Sequence, residues 1–173
     1  MRVGVFRQPR DNVVNEEVKG YLRVSAVMSA AFNFFINGMI AALEYRKTDF
    51  VPTNIVSIAI DLGVTCLMIF AITTPFCKSS LRQTKTIGIL PAGGRVVRAG
   101  SRLYRRPVWF VVLMTLLFAL ILYVPTASIF LIVGVYEIPF WVYLVLKCVF
   151  CAAFGGFITV MELYAGMCKT EME

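Results

Sequence analysis

Histidine is absent from this chain of 173 residues. The side chain that most often carries protons near neutral pH, and most often ligates metals, is therefore missing. Acid is scarce as well: neither Asp nor Glu occurs from Leu62 through Tyr136. Only 16% of residues are charged while 59% are hydrophobic, with a mean hydropathy of +0.78. That balance excludes a soluble protein of ordinary surface composition. Cysteine does occur, at 66, 77, 148, 151 and 168. None falls in an external loop of the topology read below, which argues against a structural disulfide framework. The glycine-rich run Gly88–Gly94 lacks the Lys-Ser/Thr ending of a phosphate-binding loop and has no strand before it, so nucleotide binding is rejected there. The sequence implies no cofactor and no metal site.

What the chain has in quantity is apolar sequence punctuated by cations. Lys78, Arg82, Lys85, Arg95, Arg98, Arg102, Arg105 and Arg106 crowd one acid-free stretch with two long apolar runs on each side. Lys and Arg stay on the cytoplasmic side of membrane spans, so this stretch fixes orientation. The net charge of +7 reads as topology and as attraction to anionic lipid headgroups rather than to nucleic acid.

The predicted fold class is all-α: a polytopic integral membrane protein of four transmembrane helices, arranged as two hairpins joined by a basic cytoplasmic loop. Residues 1–20 form a polar cytoplasmic segment that does not read as a cleaved signal peptide. Residues 21–76 hold the first hairpin, with spans near Tyr21–Leu43 and Thr53–Phe76, each close to the ~20 residues a crossing needs. Residues 77–106 are the loop, with a turn-rich breaker at Gly88–Gly94 and then a short basic amphipathic helix over Arg95–Arg106. In that helix Val96, Ala99 and Leu103 are expected to face lipid, while Arg95, Arg98, Arg102, Arg105 and, at its end, Arg106 meet headgroups. Residues 107–167 hold the second hairpin, with spans near Pro107–Val133, interrupted at Pro125, and Pro139–Met167. Residues 168–173 are a cytoplasmic tail. The external turns carry only Arg46 and Lys47 as cations, which puts both termini in the cytoplasm of a cell's inner membrane.

The two halves resemble each other. Ala26–Phe32 aligns with Val112–Phe118, and Phe50-Val-Pro52 with Glu137-Ile-Pro139, as in a parallel internal repeat. The Asn37-Gly38 pair near the end of the first span and Thr73-Thr74-Pro75-Phe76 closing the second resemble a family of small bacterial two-helix membrane proteins of unknown function. The resemblance covers the first hairpin and implies no activity.

Ionisable groups inside a bilayer are costly and face a partner or a cavity. Asp61 and Lys147 both fall about 12–13 Å from the outer start of their spans, taking ~1.5 Å per helical residue. Asn37 lies about 10 Å from the outer end of the first span, with Asn33 one turn away on the same face and Thr65 one turn beyond Asp61. These five residues make a candidate substrate or ion layer, in which Asp61 and Lys147 either neutralise each other structurally or work on a solute. Glu162 is expected to snorkel at the cytoplasmic interface with Lys78. Cys148 and Cys151 form a CxxC, the motif of membrane thiol oxidoreductases, although neither outer turn supplies the second cysteine pair that such enzymes use. A stripe of small residues, Ala152, Ala153, Gly155, Gly156 and Thr159, suits close helix packing or dimerisation.

Three functions follow. The first is a transporter or channel component using the polar layer. The second is an accessory or scaffold subunit of a larger membrane complex, and the third is a thiol oxidoreductase using the CxxC. The expected partners are membrane lipids, and either further copies of the chain or a larger membrane protein.

Overall fold

The computed structural model describes residues 9–84 and 94–168. In chain order these form α1 (Pro9–Tyr45), β1 (Phe50–Pro52), α2 (Ile55–Thr84), α3 (Gly94–Tyr104), α4 (Pro107–Val133), β2 (Glu137–Pro139) and α5 (Phe140–Met167). The structure is 87% helix, with two short strands as the other regular elements among the described residues. Within α1, α2, α4 and α5 lie four segments long and apolar enough to cross a membrane.

Local chemistry sets several helix ends. Asn54 caps α2, its Oδ1 accepting the Ser57 N–H at 2.9 Å, which satisfies a donor that the first helical turn otherwise leaves unpaired. Pro107 opens α4, where a missing N–H costs nothing. Gly134 closes it with a φ of 70°, its N–H bonded to the Phe130 carbonyl; the left-handed backbone there suits glycine.

The two hairpins exist in sequence order, but their helices scarcely pack against each other. Instead α1 lies along α5 and α4 along α2, while α2 meets α5 between them. Strands β1 and β2 join antiparallel, pairing Phe50 with Pro139, Val51 with Ile138 and Pro52 with Glu137. This arrangement is unchanged when the halves are exchanged. With Phe50, Val51 and Pro52 matched to Glu137, Ile138 and Pro139, each strand pair maps onto another pair or onto itself. The flanking bonds obey the same rule: Thr53 N–H to Tyr136 C=O (2.8 Å) becomes Phe140 N–H to Asp49 C=O (2.9 Å). The short repeat in the sequence is thus a pseudo-two-fold axis in the fold, passing beside Val51 and Ile138.

The core gathers near the α3 end around Phe70, whose ring meets Phe110 and Phe154 at centroid distances of 6.2 Å. The outward faces stay apolar, with Phe35 71%, Trp109 66% and Ile132 84% exposed. In α4 only Phe110, Thr115 and Ala127 are buried. A helix apolar all round and so little covered needs an apolar medium or a partner around it.

Some boundaries and faces differ from the sequence reading. Helix α1 is already helical at Pro9, and α2 runs on to Thr84, so parts of the expected polar segment and loop are helical. Helix α4 continues through Pro125; proline removes one backbone bond there without ending the helix, as happens in long apolar helices. In α3 Ala99 is exposed, compatible with a lipid-facing side, and Ser101 and Tyr104, which the sequence reading did not single out, are buried. Gly166 on α5 makes room for Tyr104, because a Cβ there would strike Leu81 and the Tyr104 ring. The ring fills the space that the absent side chain leaves. The breaker expected over 88–94 (apart from Gly94, which opens α3), the first eight residues, the tail beyond Cys168 and the Val96 side chain lie outside the described residues.

Glycine also sets the α1–α5 contact. A Cβ on Gly155 would collide with the Asn33 side chain, and one on Gly156 would come within 3.2 Å of the Ala26 carbonyl. Gly63 has nothing within 4 Å. Gly155→Ala should therefore destabilise the protein by about 1–3 kcal/mol, as overpacking does. Gly63→Ala should leave it unchanged or slightly stabilised, since alanine favours helix by ~1 kcal/mol. Thermal unfolding of the two variants in detergent checks the pair.

Candidate functional site

The strand end of the bundle holds one charged centre. Asp61 projects from the second turn of α2 and Lys147 from the second turn of α5, and Lys147 Nζ donates to Asp61 Oδ1. The Tyr143 hydroxyl donates to the same oxygen at 2.8 Å. Tyr143 lies one turn before Lys147 on α5, and its ring centroid is 5.6 Å from Nζ, close enough for a cation–π contribution. Tyr45 of α1 braces Tyr143 edge-on, with centroids 5.2 Å apart. A carboxylate with two donors, one of them charged, is strongly held. The pair is not sealed: the Lys147 side chain is 10% exposed and that of Asp61 22%.

Two cavities meet at this pair. One, of about 210 Å³, is lined by Ser57, Thr126, Phe130 and Tyr143 together with Asp61 and Lys147. The other, of about 250 Å³, is lined by Asn37, Glu44, Ser57 and Thr65 with the same two charges. Asp61, Lys147, Tyr45 and Ser57 border both. A solute entering either cavity would find a carboxylate, an ammonium and several hydroxyls within reach.

The other residues expected in this layer divide. Asn37 lines the second cavity, but its amide nitrogen is turned along α1, donating to Asn33 C=O at 3.1 Å and Asn33 Oδ1 at 3.4 Å. Thr65 also lines it, with its hydroxyl donating to the Asp61 carbonyl at 2.6 Å. Asn33 stands away from the charges. It donates to Ser29 C=O at 2.9 Å and to Ser29 Oγ at 3.2 Å, and Ser29 donates to Gly155 C=O at 3.3 Å. Ser29, Asn33 and Asn37 form a polar seam between α1 and α5, which makes Asn33 a packing residue. Neither Tyr143 nor Tyr45 was among the site residues read from the sequence. The four-residue spacing of Tyr143 from Lys147 was the available signal.

Cys148 and Cys151 are free and buried, as are the other three cysteines. Cys148 packs where Gly38 leaves room, because a Cβ on Gly38 would meet its Sγ. Among the described residues no group of three acidic or cysteine side chains is placed to hold a metal ion. Arg102, Arg105 and Arg106 are exposed at the α3 end. The side chains of Arg95 and Arg98 lie outside the described residues.

Glu162 departs from its expected place. It is fully buried, its Oε1 accepts the Thr74 hydroxyl at 2.6 Å, and the Cys77 thiol lies beside its carboxyl. Lys78 does not pair with it but sits over the Tyr104 ring, 5.1 Å from the centroid. Thr74 occupies the helix turn before Lys78 and meets α5, so the longer Lys78 side chain extends towards α3. Counting depth along the chain could not show that difference in direction.

The ion pair can be tested by removing its members in turn. Asp61→Asn and Lys147→Met should each lower stability, by up to ~3–5 kcal/mol because one charge is left unpaired in a poorly solvated place. The double variant should recover most of that loss, and a double-mutant cycle of unfolding free energies gives the coupling. No family model, curated protein or solved structure matches the chain, so its function is read from this geometry.

Proposed function

We propose that the chain is a multi-pass membrane protein, in a cell's inner membrane with both termini cytoplasmic, and that it acts as a small transporter or channel component. Insertion is supported by four long apolar segments whose outward faces bear large exposed hydrophobic side chains. Orientation is supported by the crowding of Lys78, Arg82, Arg102, Arg105 and Arg106 at the α3 end, against Arg46 and Lys47 at the strand end. The β1–β2 pair then faces outward.

The observation that carries the transport reading is the Asp61–Lys147 pair bordering two cavities. A pair that served packing alone has no need of space on either side. Here a small cation or a proton reaching Asp61 can compete with Lys147 for Oδ1, and a solute with an acidic group can compete with Asp61 for Lys147. Tyr143 steadies the carboxylate in either case. Exchange of partners inside a poorly solvated layer is how intramembrane ion pairs serve transport. Because four helices enclose little volume, the working unit is taken to be an oligomer of the chain.

Two measurements check this reading. In a variant whose native cysteines are replaced, an impermeant thiol reagent applied from outside should label Thr48→Cys and Tyr136→Cys but not Gln83→Cys; outside labelling at position 83 would overturn the orientation. In vesicles reconstituted with the protein, an imposed gradient of H⁺, Na⁺ or K⁺ should dissipate faster than in empty vesicles, and Asp61→Asn should return the rate to background. Flux indifferent to Asp61→Asn would remove the site. Purification in mild detergent with a stoichiometric second protein, and no flux, would favour the accessory-subunit reading instead.

A further inference from the structure

The α3 end holds a third cavity whose chemistry the ion pair does not explain. It measures about 180 Å³ and lies between α2, α3 and the last turn of α5, lined by Lys78, Arg82, Ser101, Tyr104, Arg105 and Gly166 among others. Arg82 and Arg105 form no ion pair among the described residues, and Lys78 has only the Tyr104 ring. Among the described residues no acid lines the cavity. Glu162, one turn before Gly166 on α5, is buried with its carboxyl bonded to Thr74.

Two residues that line the same space also carry buried hydroxyls. Ser101 is 2% exposed and Tyr104 4% exposed; the Tyr104 hydroxyl has no hydrogen-bond partner among the described residues, while the Ser101 hydroxyl lies beside the Cys168 thiol. Buried hydroxyls are almost always paired, and one left unpaired calls for a ligand or solvent to complete it. Burial also pushes the pKa of Tyr104 well above its ordinary value, so this phenol stays protonated and can donate. Three cations and two hydroxyl-bearing residues line one cavity, and no carboxylate among the described residues balances them.

We propose that this cavity binds a phosphate group, either the headgroup of an anionic lipid or a soluble phosphate compound. A tetrahedral oxyanion offers enough acceptor oxygens for two guanidinium forks, an ammonium and two hydroxyls, which a carboxylate does not. The cavity is shallow enough to admit a headgroup whose chains stay outside. It sits where α3, with its basic exposed face, meets the ends of the long helices. Phosphate binding here stands apart from the transport reading; only the lipid source of the phosphate rests on membrane insertion.

The test uses the full chain purified in detergent and stripped of lipid, followed by thermal unfolding as ligand is added. Short-chain phosphatidylglycerol should raise the midpoint saturably, and short-chain phosphatidylcholine should raise it far less. Arg82→Gln and Arg105→Gln should each increase the half-saturating concentration by about tenfold, the size of one charge-assisted contact. Tyr104→Phe keeps the ring in its packing and should weaken binding several-fold, with Ser101→Ala as a second hydroxyl deletion. Arg102→Gln, exposed on α3 and outside the cavity, should weaken binding less than Arg82→Gln. Inorganic phosphate saturating the effect at similar concentrations would assign a soluble phosphate, and response to the lipid alone would assign a headgroup. The proposal is overturned if neither probe gives a saturable shift, or if phosphatidylcholine matches phosphatidylglycerol. It is equally overturned if Arg102→Gln weakens binding as much as Arg82→Gln while both hydroxyl deletions do nothing, since a diffuse basic surface would then account for the effect.

Discussion

Two opposite charges, placed on different helices in a chain with almost no other charge along its apolar segments, constrain everything near them. Asp61 left alone would cost several kcal/mol in a low-dielectric setting, and so would Lys147. The second turns of α2 and α5 must therefore face each other. That contact holds the ends of β1 and β2 close enough to pair, and it leaves α1 and α4 to pack on the outer sides of α5 and α2. The small residues of α5 and the seam Ser29–Asn33–Asn37 of α1 then close the longest interface.

The pseudo-two-fold axis sharpens the significance of the charged pair. Carrying the strand correspondence without gaps into the helices matches Asp61 with Cys148 and Ile60 with Lys147. The backbone plan is shared by the halves, but the charges are not. A symmetric scaffold would be equally well packed with apolar residues at all four positions. One acid on one half and one base on the other produce a single site beside the axis rather than two copies of it. In the proposed account, scaffold and site are thus separable: duplication supplies the helices, and two substitutions supply the chemistry.

Much of this was legible in the sequence because the determining patterns are one-dimensional. Long apolar runs, prolines at helix starts, the cation-rich segment and the equal depths of Asp61 and Lys147 can all be counted along a chain. Direction around a helix is harder to count where every face is apolar, and this is where the reading failed. Glu162 and Lys78 fall at similar levels, yet one side chain turns inward to Thr74 and the other outward over Tyr104. Asn33 and Asn37 share a face, but only Asn37 reaches the cavity at the charges. In α3 the spacing of the arginines says nothing of Gly166 on α5, which leaves the room that the buried Tyr104 ring fills. Tyr143 was visible as an aromatic near an interface; its bond to Asp61 became apparent only once α2 and α5 were side by side.

The central claim is that the Asp61–Lys147 pair is reached by solute through its cavities rather than locked inside packing. Ser57 borders both cavities with the pair and is half-buried, which makes it the natural reporter. In a variant otherwise free of cysteine, the rate at which Ser57→Cys reacts with small membrane-impermeant thiol reagents, one cationic and one anionic, measures that access directly. The account predicts reaction with the reagents added outside, and a change in the ratio of cationic to anionic rates when Asp61 is replaced by Asn. A cysteine at position 57 that stays unreactive from both sides, or whose charge preference ignores Asp61, would mean a sealed structural ion pair and would contradict the account.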